Sequence, residues 1–346
     1  MDISLAYGSI GLVLSLVLGI PAAVLAERLG LMDIPGSAPH KQHARPTPLA
    51  GGILLAVVFL LLTFIFRKTL DRDILSVLIG ALIIFGFGLW DDLKGLSAGP
   101  KLVGQLIAAA VLISFGVQVR FMTVVFSAEV LSPIIAQLLN VLITLFWLVG
   151  ITNAMNMIDS MDGIVAGLGV IASAFFMGAA SLAGQSALAF WAACLLGVSA
   201  GLYFWNGMSV RFFLGVSGAQ TLGFLLACFG ILYNPLNRSP ESSWIVPIML
   251  LGVPIFDTTL VVLSRLRRGQ MVGSGRRDHT YHRFIGLGMQ PRYAVLSVHL
   301  MSLLIGSVAF LTLYLKPLIA LVFFVFTIIG GFVFLLWLER KPALGE

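Results

Sequence analysis

The chain has 346 residues, 59% of them hydrophobic and only 10% charged, with a mean hydropathy of +1.04. No soluble domain of this length has that balance, so the composition points to an all-α polytopic membrane protein. The net charge of +6 fits loops facing anionic lipid, or a site for anions, and nucleic acid is not an expected partner.

A spanning helix needs about 20 apolar residues. The first candidate, 5–27, is too long for a cleavable signal peptide and lacks its basic flank. Ten more follow at 49–66, 74–90, 101–119, 133–151, 163–183, 186–205, 219–234, 243–264, 293–315 and 317–338. The connections are mostly short, with no Ser/Gly linker and no clear internal repeat, so residues 1–346 are read as a single integral-membrane domain. Cys194 and Cys228 lie inside apolar runs and read as small core residues rather than a disulfide or metal pair. Alternating the loops places 15 of the 21 Lys and Arg on one side and 6 on the other. The positive-inside rule makes the richer side cytoplasmic, with the N-terminus outside and the C-terminus inside.

Five polar constellations fall on that cytoplasmic side. The first is "HKQHARPTPLAGG" (40–52), which contains Thr47. The next, "FGLWDDLKGL" (87–96), sets Asp91 and Asp92 side by side where a span ends, with Lys94 and then Lys101 beyond. Adjacent acids repel, so they suit a cation or a base's task; a helix-end stop signal paired with Lys94 is the plain alternative. "NAMNMIDSMDG" (153–163) repeats Asn153, Asn156, Asp159 and Asp162 every three residues. A helical segment would stack them on one side, where two amides and two carboxylates can grip a sugar, a base or a metal-bound phosphate. Asp162 alone could instead be an N-cap. "RFFLGVSGAQ" (211–220) is the fourth. The fifth, "SGRRDHTYHRF" (274–284), carries His279, His282 and Arg283 after a Gly-rich approach and suits diphosphate binding, or else it is a basic loop that only satisfies topology. Asp257, in "PIFDTTL", lies within the ninth span between Pro254 and two threonines, at a depth where an acid needs a partner or water.

These motifs resemble the polyprenyl-phosphate N-acetylhexosamine-1-phosphate transferases, whose sister group is phospho-N-acetylmuramoyl-pentapeptide translocase. The matching elements run from Asp33 to Arg283: "DIP", "HKQHARPTPLAGG", "GLWDDLKGLSAGPKLVGQ", "NAMNMIDSMDG", "FLGVSGAQTLG", "PIFDTTL" and "DHTYHRFIGLG". The translocase branch typically carries three consecutive histidines in the last loop, so "DHTYHRF" is closer to the GlcNAc-1-phosphate transferase branch. The resemblance implies transfer of an N-acetylhexosamine 1-phosphate, GlcNAc by default, from a UDP-sugar to undecaprenyl or another polyprenyl phosphate. UMP is released, Mg²⁺ or alternatively Mn²⁺ is the cofactor, and the location is the plasma (inner) membrane. Such a product starts a cell-envelope glycan such as teichoic acid or lipopolysaccharide O-antigen. The sister group suggests a homodimer.

Carried over by motif, Asp91 is the base that deprotonates or orients the lipid phosphate, and Asp92 lies near the metal. Asn153, Asn156, Asp159 and Asp162 hold the nucleotide and support the metal, with Asp159 a ligand and catalytic. His279, His282 and Arg283 contact the diphosphate or sugar, while Lys94, Lys101 and Thr47 are further substrate contacts. Direct attack is favoured over an acyl-phosphate. One position departs from the family. Most members read Gly-Asp-x-Gly where this chain reads Gly215-Val216-Ser217-Gly218. That Asp is a Mg²⁺ ligand in the family, and valine has no lone pair to offer. The chain is then a variant of an active enzyme, a member whose metal rests on Asp92 and Asp159 alone, or a non-catalytic binder of nucleotide or lipid. The first is the expectation. A transporter is the remaining class, disfavoured because only Asp257 lies at depth.

Overall fold

The computed structural model describes residues 2–35, 45–66, 71–126, 130–235, 240–271 and 278–341. Residues 40–44 of the first motif, Arg276 and Arg277 of the last, and Lys41, Arg67, Lys68 and Arg238 of the charge count lie outside the described residues. In chain order the elements are α1 (Asp2–Arg28), β1 (Met32–Asp33), β2 (Thr47–Pro48), α2 (Gly51–Phe66), α3 (Arg72–Lys94), α4 (Ala98–Ser114), α5 (Phe121–Val125) and α6 (Pro133–Ile158). Then come α7 (Ile164–Leu182), α8 (Ser186–Leu202) with a π-helical turn over Tyr203–Met208, α9 (Gly215–Leu232), α10 (Pro240–Ser243) and α11 (Ile245–Leu250). The last four are α12 (Gly252–Arg267), α13 (Thr280–Gly286), α14 (Pro291–Thr312) and α15 (Pro317–Glu339).

Among the described residues, eight helices are long and apolar enough to cross a membrane, and α2 and α4 are shorter apolar helices. The chain is an all-α polytopic membrane protein apart from one two-residue antiparallel ladder, β1 on β2. The expected span 243–264 is not one helix. It is α10, α11 and α12, with a break at Leu251. Pro254 has no N–H to return to the carbonyl of Leu250, so an unbroken ladder cannot cross that point. Two helices outrun their apolar stretches in the other direction. α3 carries Asp91–Lys94 in its last turn, and α6 carries Asn153–Ile158.

In lipid, apolar side chains gain little by leaving one hydrocarbon for another, so close backbone approach through small residues matters more. The α1–α8 seam shows this. A Cβ on Gly197 would lie 2.0 Å from the carbonyl oxygen of Gly8, one on Gly201 2.2 Å from Cβ of Ser15, and one on Gly19 2.1 Å from Nε1 of Trp205. The contacts advance together along both helices, so α1 and α8 run parallel. Trp205 closes the seam by donating to the carbonyl of Ser15 at 3.0 Å.

α9 is enclosed by α2, α3 and α6. Three glycines let it in: Cβ atoms on Gly52 and Gly88 would fall within 2.2 and 2.5 Å of Ser217, and one on Gly223 within 2.9 Å of Met155. This packing brings the start of α9 against the ends of α3 and α6, which sets up the site.

Candidate active site

The N-terminus of α9 is capped from another helix. Its own N-cap residue, Leu214, has no side chain able to accept. Asp92, at the end of α3, fills the role. Its Oδ1 accepts the Val216 N–H at 2.8 Å, and its Oδ2 accepts the Ser217 N–H at 3.1 Å and the Ser217 hydroxyl at 2.6 Å. Those are two of the four N–H groups that a helix start leaves without partners, and the negative carboxylate also meets the positive end of the helix dipole. Gly215 is required at this junction. Its φ is +74°, and a Cβ there would lie 2.7 Å from Oδ2 of Asp92. A carboxylate has about four acceptor positions, so three hydrogen bonds leave Asp92 about one for a cation.

Asp91 points elsewhere. Its Oδ1 accepts the Leu96 N–H at 2.5 Å, and its Oδ2 pairs with Lys101 of α4 at 2.8 Å. Gly95, at φ +67°, ends α3 in the left-handed conformation and lets the chain turn back over Asp91. Lys94 is exposed at the helix end. Thr47 sits in β2 opposite Asp33, and the adjoining Leu49 bridges to Phe213, two residues before α9.

The third loop joins α6 to α7. The expected four-residue stripe is only half helical, because α6 ends at Ile158 and Asp159 is its C-cap at φ −76°, ψ 67°. Asp162 is not the N-cap of α7 either; Gly163 is, at φ +76°. Asn153 is withdrawn from the site, since its amide pairs reciprocally with Gln105 of α4 at 2.7 and 3.1 Å. Asn156 and Asp159 are half-buried and take no hydrogen bond from the described residues. Burial, then the charge of Asp162, then that of Asp92 push the Asp159 carboxyl up to about 8. Asp159 thus feels the charge of a carboxylate on its own loop and of one at the end of α3, and hard oxygen donors near one another suit a hard divalent cation. Among the described residues no three such side chains converge into a ready-made metal cage. Mg²⁺ commonly takes one or two carboxylates and completes its shell with water and phosphate, so the donor set fits it.

Asn206 of the π turn is a positioning group that the sequence reading passed over. It is buried, accepts the Gly163 N–H at 2.8 Å and donates to the Phe212 carbonyl at 3.3 Å. One amide therefore ties the Asp159–Asp162 loop to the segment leading into α9. A lone amide at the end of an apolar run was the only signal for it.

The fourth contribution comes from α12 and α13. His279 Nδ1 lies 2.7 Å from Oδ2 of Asp257, and the Thr280 N–H donates to Oδ1 at 2.7 Å. Asp278 is gripped by the Arg265 fork at 2.8 Å for both bonds. Burial would raise the Asp278 carboxyl, but the Arg265 bonds and charge, with His279, hold it below the usual range. His282 meets the hydroxyl of Tyr281 at 3.0 Å, and the same hydroxyl bonds Ser160 beside Asp159. Arg283 is a correction. It was expected on the diphosphate, yet it is fully buried and spends its guanidinium on the carbonyls of Leu338 and Lys341 and the hydroxyl of Ser264. It staples the end of α15 to α12 and α13.

The glycosyl transferase family 4 profile matches residues 74–234, a span that holds Asp91, Asp92, Asp159, Asp162 and Val216. A Bacillus subtilis protein named "Probable undecaprenyl-phosphate N-acetylglucosaminyl 1-phosphate transferase" is 30% identical over 283 residues, covering 80% of this chain and 76% of the relative. The chain belongs to this transferase family. The transferase is also 30% identical over 318 residues to a decaprenyl-phosphate N-acetylglucosaminephosphotransferase of Mycobacterium tuberculosis, covering 84% of this chain and 77% of that one. It is 24% identical over 300 residues to the undecaprenyl-phosphate alpha-N-acetylglucosaminyl 1-phosphate transferase of Escherichia coli K12, covering 85% and 79%. The family match ends before Asp257 and His279, so that corner of the transferase site rests on its geometry.

Proposed function

We propose that this chain transfers N-acetylglucosamine 1-phosphate from UDP-GlcNAc to undecaprenyl phosphate or a related polyprenyl phosphate, releasing UMP at the cytoplasmic face of the plasma membrane. The observation that carries the reading is that Asp159 feels the charge of both Asp162 and Asp92 at one end of a membrane bundle, where α2, α4, α7 and α9 all begin. Helix starts favour anions, and a bundle end is where a water-soluble nucleotide sugar and a membrane-held phosphate can meet. The relatives' names supply the sugar and the lipid. Eleven spans with the N-terminus outside complete the reading.

The chemistry follows from charge. A monoalkyl phosphate has its second pKa near about 6, so at neutral pH the lipid nucleophile is mostly ionised already. Asp91 therefore serves better by orienting Lys101 toward that phosphate than by removing a proton. The two phosphates that must approach repel each other by about 4 kcal/mol per unit pair at about 4 Å and an effective dielectric near about 20. A bound Mg²⁺ would neutralise part of that charge and polarise the transferring group. Asp159 and Asp162 would hold it, with the remaining acceptor position of Asp92. Asn156 would bond the nucleotide, and His279 and His282 flank the same loop through Tyr281.

Val216 gives its N–H to Asp92 and nothing from its side chain, so this chain works with one metal ligand fewer than its family. UMP release from UDP-GlcNAc, undecaprenyl phosphate and Mg²⁺ tests the proposal with the parent and Val216→Asp in parallel. The expected result is a rate at least about tenfold higher for Val216→Asp, which is about 1.4 kcal/mol of transition-state stabilisation. Equal rates would mean the other carboxylates suffice, and silence in both folded proteins would remove the assignment of donor and acceptor.

A further inference from the structure

Among the described residues, Asp257 is a fully buried carboxylate that the proposed chemistry leaves without a task. It sits in α12, within a membrane helix, where an acid is costly unless a partner meets it. The partner is His279, whose ring nitrogen Nδ1 lies 2.7 Å from Oδ2, with the two side chains 6% and 0% exposed. The other oxygen accepts the N–H of Thr280, the first residue of α13, at 2.7 Å. One carboxylate thus holds both the ring and the backbone that carries it.

The surroundings leave the ring little freedom. Asp278, the preceding residue, is fixed by the bidentate Arg265 pair. The Tyr281 ring stacks on His279 at 6.1 Å with 8° between planes, and the Tyr281 hydroxyl bonds Ser160, next to Asp159. His279 Nε2 takes no hydrogen bond from any described residue. The carboxylate therefore occupies one ring nitrogen and leaves the other for something outside the described fold. This is the arrangement by which an acid selects a histidine tautomer.

We propose that Asp257 is a positioning residue acting through His279, holding the ring as its Nδ1–H tautomer so that Nε2 faces the donor. In that state Nε2 accepts a hydrogen bond from a hydroxyl or amide N–H of the amino sugar. The donor's identity rests on the proposed function, whereas the tautomer does not.

The test has two arms. Imidazole ¹⁵N spectra of the full chain in nanodiscs, with His279 assigned by His279→Gln, are expected to show the Nδ1–H signature, and this needs no other variant to fold. Asp257→Asn is expected to redistribute the proton between the two nitrogens. UDP-GlcNAc binding with Mg²⁺ is then measured for the parent, Asp257→Asn, His279→Gln and the double variant. Asp257→Asn should weaken binding about tenfold, as loss of an outer-shell partner typically does, and add less than about twofold in the His279→Gln background. An Nε2–H ring in the parent overturns the proposal. So does an equal loss in both backgrounds, which would leave Asp257 only the Thr280 backbone to hold. If the parent binds no UDP-GlcNAc, the functional assignment fails and the tautomer alone decides the dyad.

Discussion

The carboxyl of Asp159 carries a consequence that can be read without substrate. With burial and two like neighbours pushing it up to about 8 from 3.8, the folded chain keeps a proton that the unfolded chain has already released. The unfolded state therefore binds fewer protons across that window, and stability falls as pH rises through it. In divalent-free detergent solution, melting temperature should drop between about pH 5 and about pH 8, and Asp159→Asn should remove most of the slope. Identical slopes in the two proteins would show that the proton is held elsewhere. Residue identity at the site was largely legible in the sequence, because acids and amides stand out in an apolar chain. Residue role was not. Nothing local indicates that Asp92 takes the N–H of Val216, 124 positions later, since the helix itself offers only Leu214 as a cap. Nor does an arginine beside two histidines announce that it turns inward to carbonyls, as Arg283 does.

At the scale of elements, hydropathy located the spans because bilayer thickness sets their length. It missed their ends. Asp91–Lys94 and Asn153–Ile158 stay helical past the apolar limit because the hydrogen-bond ladder continues until Gly95 and Asp159 leave it. The break at Leu251 was half-visible in Pro247 and Pro254, which suggest a bend without saying that three helices result. What hydropathy cannot register at all is contact between backbones. Gly197→Ala would drive a methyl into the Gly8 carbonyl at 2.0 Å, a backbone atom that cannot swing aside. A loss of about 1–3 kcal/mol is expected, within the range for overpacking. Gly86→Ala in α3 meets no atom within 4 Å and should be neutral or stabilise by about 0.5–1 kcal/mol. Unfolding both in mixed micelles separates the two, and similar stabilities would contradict the close seam.

For the whole molecule, the distribution of charge and the meeting of the loops support the proposed orientation. Lys94 and Lys316 are both exposed, at opposite ends of the bundle by the order of the helices. In intact cells, an impermeant thiol reagent should label Lys316→Cys and spare Lys94→Cys, and broken cells should expose both. The native Cys194 and Cys228 are fully buried, so the background should be silent. Labelling of Lys94→Cys from outside would invert the protein and move the site away from the proposed nucleotide sugar. The bundle end also explains why separate loops read as one constellation. Each is too short to form a site, and only the packing of α3, α6, α9 and α12 brings their ends together.

The parallel pairing of α1 with α8 sets a timetable for synthesis. α1 is made before α8, and its glycine face is fitted to that later helix, which begins at Ser186. At roughly 5–20 residues per second, α1 waits on the order of 10–30 s in the bilayer before that partner arrives. During this interval Ser15 and Gly19, which pack on Gly201 and Trp205, lack those partners. α1 thus lacks this partner until the seventh apolar segment has been made, and an early pause would prolong that exposure.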